Sequence, residues 1–176
     1  MNNLIIKGLR LLGFLIIVTA LTSATLPTSK AVAATKIYKV GDITPTGGTV
    51  FYVLPPDTVS QWHYLEVAPN IWNSGNFGNT SYRKAESSVY AYGDKSWYIP
   101  SSDEFAVLAS ENRAKRLKNI TLKPGTYWTS TGVVTKKQIQ SLQAFNTLSL
   151  KLTSYSYKAA INGTVLLRVR PIRYFD

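Results

Sequence analysis

The sequence contains no cysteine, and this absence constrains the fold more than any other single feature. A chain without cysteine cannot be cross-linked by disulfides, so its folded state has to rest on a hydrophobic core. It also cannot supply a thiolate zinc site, a cysteine nucleophile or a lipid-anchored cysteine. A domain of about 140 residues buries roughly two-thirds of its unfolded surface, so a core of sufficient size is available.

The first 34 residues have the pattern of a secretory signal peptide. Lys7 and Arg10 precede the apolar run Leu11–Ala24, and the small-residue sequence AVAA follows. A charged start, an apolar middle and a small-residue exit predict cleavage near Ala33 or Ala34. The apolar run is shorter than the roughly 20 residues of a membrane-spanning helix. A retained N-terminal anchor is the alternative, and no later segment predicts a membrane span.

Residues 35–176 are then expected to form one domain of an exported protein, and the lack of cysteine is typical of a bacterial one. Three of the 20 basic residues leave with the signal while all nine acidic residues stay, so the net charge becomes 17 minus 9, or +8. This excess favours anionic partners such as acidic polysaccharide, teichoic-type polymer or lipid headgroups. Export makes nucleic acid the least expected of the anionic partners. Solubility alone is the other explanation of the charge.

The principal helix is predicted over about 101–117. Ser101 and Glu104 have the spacing of a capping box, directly after Pro100. Phe105 and Leu108 then begin an apolar stripe at helical spacing. Residues 70–95 show little periodicity and predict a long surface loop.

The rest of the mature chain predicts strands. Two are expected within 36–53, around a loop rich in Thr, Pro and Gly, one at 62–69, and four after the helix. Asn162–Gly163 predicts a hairpin turn between two of these strands. The last strand should end, or lie at a sheet edge, at Pro171, because proline has no N–H to donate.

Four segments of the mature chain together resemble one protein family. They are YKVGDITPTGGTVFYV, SWYIPSSDEF, GTYWTST and LLRVRPIRYF, in this order over about residues 37–175. They are similar to the domain-of-unknown-function family named for the C-terminal domain of the Legionella collagen-like protein. Thr44 stands where that family has a glycine, and the cysteines that the family often carries are lacking. Ile99, Phe105 and Ile172 are conservative replacements.

The resemblance implies an α+β, C-type-lectin-like fold with mainly antiparallel strands, in which the first and last strands pair. It also implies recognition rather than catalysis, because the namesake domain is associated with binding sulfated glycosaminoglycans. We therefore expect a secreted or cell-surface, adhesion-type domain that binds acidic polysaccharide or another surface polyanion. The alternative is a structural or assembly domain that recognises a protein, or itself, through the Tyr/Asn/Ser-rich loop.

The residues predict neither an enzyme nor a cofactor. His63 is the only histidine and lies among aromatic residues on an expected strand, where a structural role is favoured. Asp103 and Glu104 are adjacent at a helix start, so they serve its dipole and point about 100° apart. No serine lies in a nucleophile elbow, and no cluster has metal-ligand spacing. Calcium binding stays open at three loop carboxylates: Asp42, Asp57 and Asp94.

Two sets of residues are candidates for ligand binding. The basic set lies at and after the helix end and in a later turn: Lys115, Arg116, Lys118, Lys123, Lys136 and Lys137. Support of the helix dipole is the alternative role of the first three. The aromatic set is open to sugar stacking or protein contact: Trp62, Trp72, Tyr82, Tyr90 and Tyr92. Trp97 and Trp128 are instead expected in the core.

Three arginines near the C-terminus alternate with apolar residues. Arg168 and Arg170 share one strand face, roughly 7 Å apart, while Val165, Leu167 and Val169 share the other. A buried guanidinium needs a carboxylate, so we expect Arg170 to form a structural ion pair with Glu104 or Asp103. For Arg168 and Arg173 both a structural and a ligand-facing role stay open.

Overall fold

The described part of the chain folds into two three-stranded antiparallel sheets and three helices. The computed structural model describes residues 36–70, 78–91, 96–135 and 138–176. The predicted α+β class with antiparallel strands is confirmed. In chain order the elements are β1 (Thr49–Val53), β2 (Tyr64–Val67), α1 (Tyr82–Tyr90), α2 (Ser102–Arg113), β3 (Thr126–Thr135), β4 (Gln138–Asn146), β5 (Lys151–Ser156), α3 (Tyr157–Ile161) and β6 (Ile172–Phe175).

The first sheet has the strand order β1-β2-β6, so the first and last strands share a sheet without pairing. The predicted pairing of β1 with the end of the chain is therefore wrong. All four residues of β2 are buried, and its Val67 lies opposite both Thr49 and Ile172. A strand buried along its whole length takes the centre of a sheet, because both of its backbone edges have to be hydrogen-bonded.

The second sheet has the order β3-β4-β5, and its strands follow one another directly. The predicted strands around residues 126–131 and 141–152 belong to it. Of the two strands expected within 36–53, only β1 forms, because the earlier segment contributes just an isolated bridge from Ile43 to Thr49. Among the described residues, no helix is both long enough and apolar enough to cross a membrane.

Helix α2 begins where the sequence predicts and ends earlier than predicted. The Ser101 side chain accepts from the Glu104 N–H, and the Glu104 carboxylate accepts from the Ser101 N–H, so the capping box is confirmed. The helix stops at Arg113, because Lys115 adopts the left-handed conformation with φ of 56°. The basic residues from Lys115 onward therefore lie beyond the helix.

Helices α1 and α3 lie where a loop and a strand were predicted. Each begins at a serine whose side chain accepts from a backbone N–H three residues on, Ser81 for α1 and Ser156 for α3. Ala85 and Val89 of α1 are buried, and this packing stabilises a segment of weak periodicity. Because α3 ends at the cap residue Asn162, the predicted hairpin turn at that position is wrong.

The core consists of two main clusters and a smaller aromatic one. The first main cluster joins the β1-β2-β6 sheet and α2, with Phe105 and Leu108, to Tyr127 of β3 and Phe145 of β4. The second involves α1, α3 and the second sheet, and it contains Trp97 and Trp128, whose predicted burial is confirmed.

The segment before β6 is extended but makes only isolated bridges, Leu167 to Thr80 and Arg168 to Tyr127. The predicted strand that ends at Pro171 does not form, because the ladder of β6 begins only after this proline, at Ile172. Val169 is buried in the second cluster, and Val165 and Leu167 pack against it, so the predicted alternation of this segment is confirmed.

Candidate anion-binding site

Residues 115–123, hereafter the basic segment, follow α2 along the surface. Lys115, Lys118 and Lys123 are exposed. The apolar residues between them face the core: Leu117, Ile120 and Leu122. Because a helix dipole acts only within the last turn, it does not account for Lys118 and Lys123, which lie well beyond α2.

Side chains from distant parts of the chain hold the backbone of the basic segment. Thr49 Oγ1 donates to the Lys118 carbonyl at 3.2 Å, and Asn70 Nδ2 donates to the Asn119 carbonyl at 2.9 Å. The Leu122 N–H donates to the Asn112 side-chain oxygen at 3.2 Å. These contacts come from β1, from the turn after β2 and from α2, so the lysines are presented on a fixed backbone.

Arg170 is buried, with 6% of its surface exposed, and its guanidinium binds oxygen atoms around the basic segment. It donates to the carbonyls of Ala68 at 3.2 Å and Thr121 at 3.3 Å, and to the Asn70 side-chain oxygen at 2.9 Å. Burial lowers the pKa of Arg170 from its usual value. Hydrogen bonds to oxygen dipoles offset part of that desolvation.

The predicted ion pair of Arg170 with Glu104 or Asp103 is not formed. Glu104 accepts from the Tyr98 hydroxyl at 2.8 Å and from the Ser101 N–H at 2.7 Å, while Asp103 is exposed. The Glu104 carboxylate is therefore bound at the start of α2 and does not pair with Arg170. Arg170 is structural, through partners that lie far away in sequence.

Arg168 is half-buried and lies beside Gly125 and Tyr127. A Cβ atom added to Gly125 would come within 3.1 Å of Arg168 Nε, so glycine leaves room for the guanidinium. Burial raises the pKa of the Tyr127 hydroxyl, and Arg170 and Arg168 act in the opposite direction. That hydroxyl donates to the Lys123 carbonyl at 2.8 Å. Both arginines of the RVR sequence therefore adjoin the basic segment or the turn that follows it.

A buried ion pair joins Arg173 on β6 to Glu66 on β2, its direct neighbour across the two strands. Glu66 is fully buried and also accepts from the hydroxyls of Thr44 and Thr46. Arg173 lies 4.8 Å from the centre of the Trp97 ring, in a cation–π contact. This arrangement makes Arg173 structural.

Sequence reasoning missed Glu66, although a signal was present. Glu66 stands within the apolar strand YLEV, and a carboxylate on a buried strand needs a cation. The partner could not be named from the sequence, because Arg173 lies 107 residues away.

The other predicted cations divide into two groups. Arg116 forms an ion pair with Glu111, which raises the pKa of Arg116 and occupies its guanidinium. Lys136 and Lys137 lie outside the described residues. Among the residues described, no ion pair includes any of the three exposed lysines of the basic segment.

The described members of the predicted aromatic set differ in burial. Tyr82 is buried against Trp128 with ring centroids 5.7 Å apart, so it is a core residue, because α1 turns it inward. Tyr90, at the other end of α1, is 62% exposed, and Trp62 is half-buried beside Tyr174. Two members of the set lie outside the described residues: Trp72 and Tyr92.

The described residues contain no group of three His, Asp or Glu side chains that could hold a metal ion. His63 pairs with Asp176 at the end of the chain. Asp42 accepts from the Lys39 N–H at 2.9 Å within its own turn, and Asp57 is exposed. Asp94 lies outside the described residues.

The described residues form an α+β domain with two antiparallel sheets. On its surface this domain carries an exposed basic segment whose backbone is held in place by other parts of the fold. No protein-family model matches the chain, and no curated protein is significantly similar to it. The family resemblance of the four segments stays a prediction.

Proposed function

We propose that the chain is a secreted or cell-surface recognition domain that binds acidic polysaccharide, or another surface polyanion, without catalysis. The observation that carries this proposal is the basic segment, which presents three exposed lysines on a backbone held by other parts of the fold. A leader over residues 1–34, cleaved near Ala33 or Ala34, would direct the domain out of the cell.

A fixed basic segment suits a polymer better than a small ion. One exposed ionic contact contributes only about 0.2–1 kcal/mol, so a single lysine binds weakly. A polymer with repeated charges contacts several lysines at once, and the later contacts form at a high effective concentration. A backbone that is already ordered lowers the entropy lost on binding.

A C-type-lectin-like fold in the resembling family is part of the same proposal. Its support is that all four resembling segments meet at the end of the chain. Thr46 of the first segment contacts Arg173, the Tyr98 and Ile172 backbones of the second and fourth exchange hydrogen bonds, and the Trp128 N–H of the third donates to the Arg168 carbonyl at 2.8 Å.

Two triple variants with the same net charge test the proposal. One reverses the basic segment, with Lys115→Glu, Lys118→Glu and Lys123→Glu. The matched control reverses three exposed lysines on other elements: Lys84→Glu, Lys151→Glu and Lys158→Glu. We expect the first variant to bind a heparin-like polymer at least tenfold more weakly than the control, in calorimetric titrations at low salt.

Circular dichroism has to show that both variants keep the fold. Binding by the parent should also weaken steeply as salt rises, because exposed charges are screened. Equal binding by the two variants would show that the basic segment is not the binding site. A glycan array read at two salt concentrations would then identify the polymer class.

The assembly alternative has one observation in its favour, on a different surface from the loop first considered. The outer half of the β3–β4 hairpin exposes Val133, Val134 and Ile139, and Val134 lies directly opposite Ile139. Apolar side chains grouped in this way are typical of contact surfaces. Sedimentation of the parent and of Val134→Lys tests self-association, which the variant should reduce if the hairpin mediates it.

A further inference from the structure

We propose that Arg168 is an anchoring contact for one oxyanion, a sulfate or carboxylate group of the polymer, beside Lys123 of the basic segment. This inference rests on the proposed function and goes further, because it assigns a separate subsite and the chemistry that the subsite recognises. Arg168 belongs to the resembling segment LLRVRPIRYF rather than to the basic segment itself.

The first argument is the charge of Arg168. Its side chain is half-buried, so the guanidinium has lost part of its hydration. Eight of the nine acidic residues are described, and none of these eight forms an ion pair with Arg168. The ninth, Asp94, lies outside the described residues. A partly desolvated guanidinium gains most from an anionic partner, and a ligand oxyanion would supply one.

The second argument is the position of Arg168. Its backbone is held on both sides, since its N–H donates to the Thr126 carbonyl at 3.1 Å and its carbonyl accepts from Trp128. Its guanidinium lies near enough to the Tyr127 hydroxyl to oppose the rise of that hydroxyl's pKa, and the same hydroxyl donates to the Lys123 carbonyl at 2.8 Å. Arg168 is therefore a positioned cation with an exposed lysine in the adjoining segment.

The third argument concerns the ligand class. A guanidinium is planar and offers parallel N–H donors that match two oxygens of a sulfate or carboxylate. An ammonium carries the same charge as a point, without that geometry. Gly125 leaves the space next to Arg168 Nε without a side chain. A subsite that uses this geometry would distinguish arginine from lysine, whereas attraction by net charge would not.

The experiment therefore keeps the charge and changes the geometry. We expect Arg168→Lys to weaken binding of a heparin-like polymer about tenfold, while Arg83→Lys, an exposed control on α1, leaves it unchanged. A second series with a carboxylate-only polyuronate of similar charge density distinguishes the two groups. Weaker binding of either polymer by Arg168→Lys supports the subsite and shows whether it recognises sulfate or carboxylate. Unchanged binding of both polymers overturns the subsite.

A measurement on the unmodified protein covers the case in which Arg168→Lys fails to fold. The Nε–H signal of Arg168 in nuclear magnetic resonance spectra should shift on titration with a sulfated or carboxylated oligosaccharide, and an unmoved signal overturns the subsite. If the parent binds neither polymer, the proposed function fails as well. If the parent binds and only the basic-segment variant loses affinity, the function stands and the subsite falls.

Discussion

Replacing Arg173 by methionine should destabilise the protein strongly, because it leaves a buried carboxylate without its cation. Methionine keeps an unbranched side chain of comparable reach and removes only the charged end. Glu66, fully buried on the central strand β2, would then retain the threonine hydroxyls as its neutral donors. The variant also loses the contact of Arg173 with the Trp97 ring and its hydrogen bond to Ser96.

The expected cost follows from this geometry. Removing one partner of a buried ion pair typically costs about 3–5 kcal/mol. For a domain near 140 residues, with an unfolding entropy of about 2.1 cal/mol/K per residue, this lowers Tm by roughly 10–17 °C. Such a loss is a large part of the 5–15 kcal/mol that usually separates folded from unfolded domains.

Urea unfolding followed by tryptophan fluorescence measures the effect, with thermal circular dichroism as a second probe. Arg116→Met is the matched control, because it removes the cation of an exposed ion pair and should change Tm little. The double variant Glu66→Leu with Arg173→Met should recover most of the loss, since it removes both charges together. Equal Tm values for Arg173→Met and Arg116→Met would refute the reasoning.

Three further changes have defined outcomes. Gly48→Ala should lower stability by about 1–3 kcal/mol in urea unfolding, because its Cβ would collide with the buried carboxylate of β2, whereas Gly78→Ala, with open space around it, should not. Tyr82→Phe should lessen alkaline unfolding. Burial raises the pKa of Tyr82 to about 12, so the unfolded chain loses this proton near pH 10 before the folded chain does, and stability falls as pH rises from about 10 to 12. Arg170→Ala should lower Tm by several degrees and weaken polyanion binding, because it removes the donors to the Thr121 carbonyl of the basic segment and to the Asn70 side chain that holds this segment.

Each of these expectations has a contradicting result. Equal stability of the two alanine variants would show that the sheet accommodates a Cβ beside the carboxylate. An unchanged alkaline unfolding curve for Tyr82→Phe would mean that this hydroxyl ionises alike in both states. A destabilised Arg170→Ala that still binds a heparin-like polymer as the parent does, at a temperature where it is folded, would separate Arg170 from the site.

Local features of the sequence determined the parts of the structure that depend on near neighbours. The capping box of Ser101 and Glu104 fixed the start of α2, because its four groups lie within four residues. The alternation around Val169 predicted which side chains enter the core, since successive residues of an extended chain point to opposite sides. The exposed lysines of the basic segment were also found from the sequence, although not the end of the helix before them.

Only the tertiary structure decided which distant residues meet. Helix α1 depends on packing of Ala85 and Val89 in the second core cluster, which local propensity does not reveal. Glu66 pairs with Arg173 rather than with another arginine, because the pairing of β2 with β6 places the two residues directly opposite each other. Arg170 donates to the carbonyls of Ala68 and Thr121 and to the Asn70 side chain instead of the predicted carboxylates. A sequence shows which charges need partners, but a partner a hundred residues away is selected by the path of the chain.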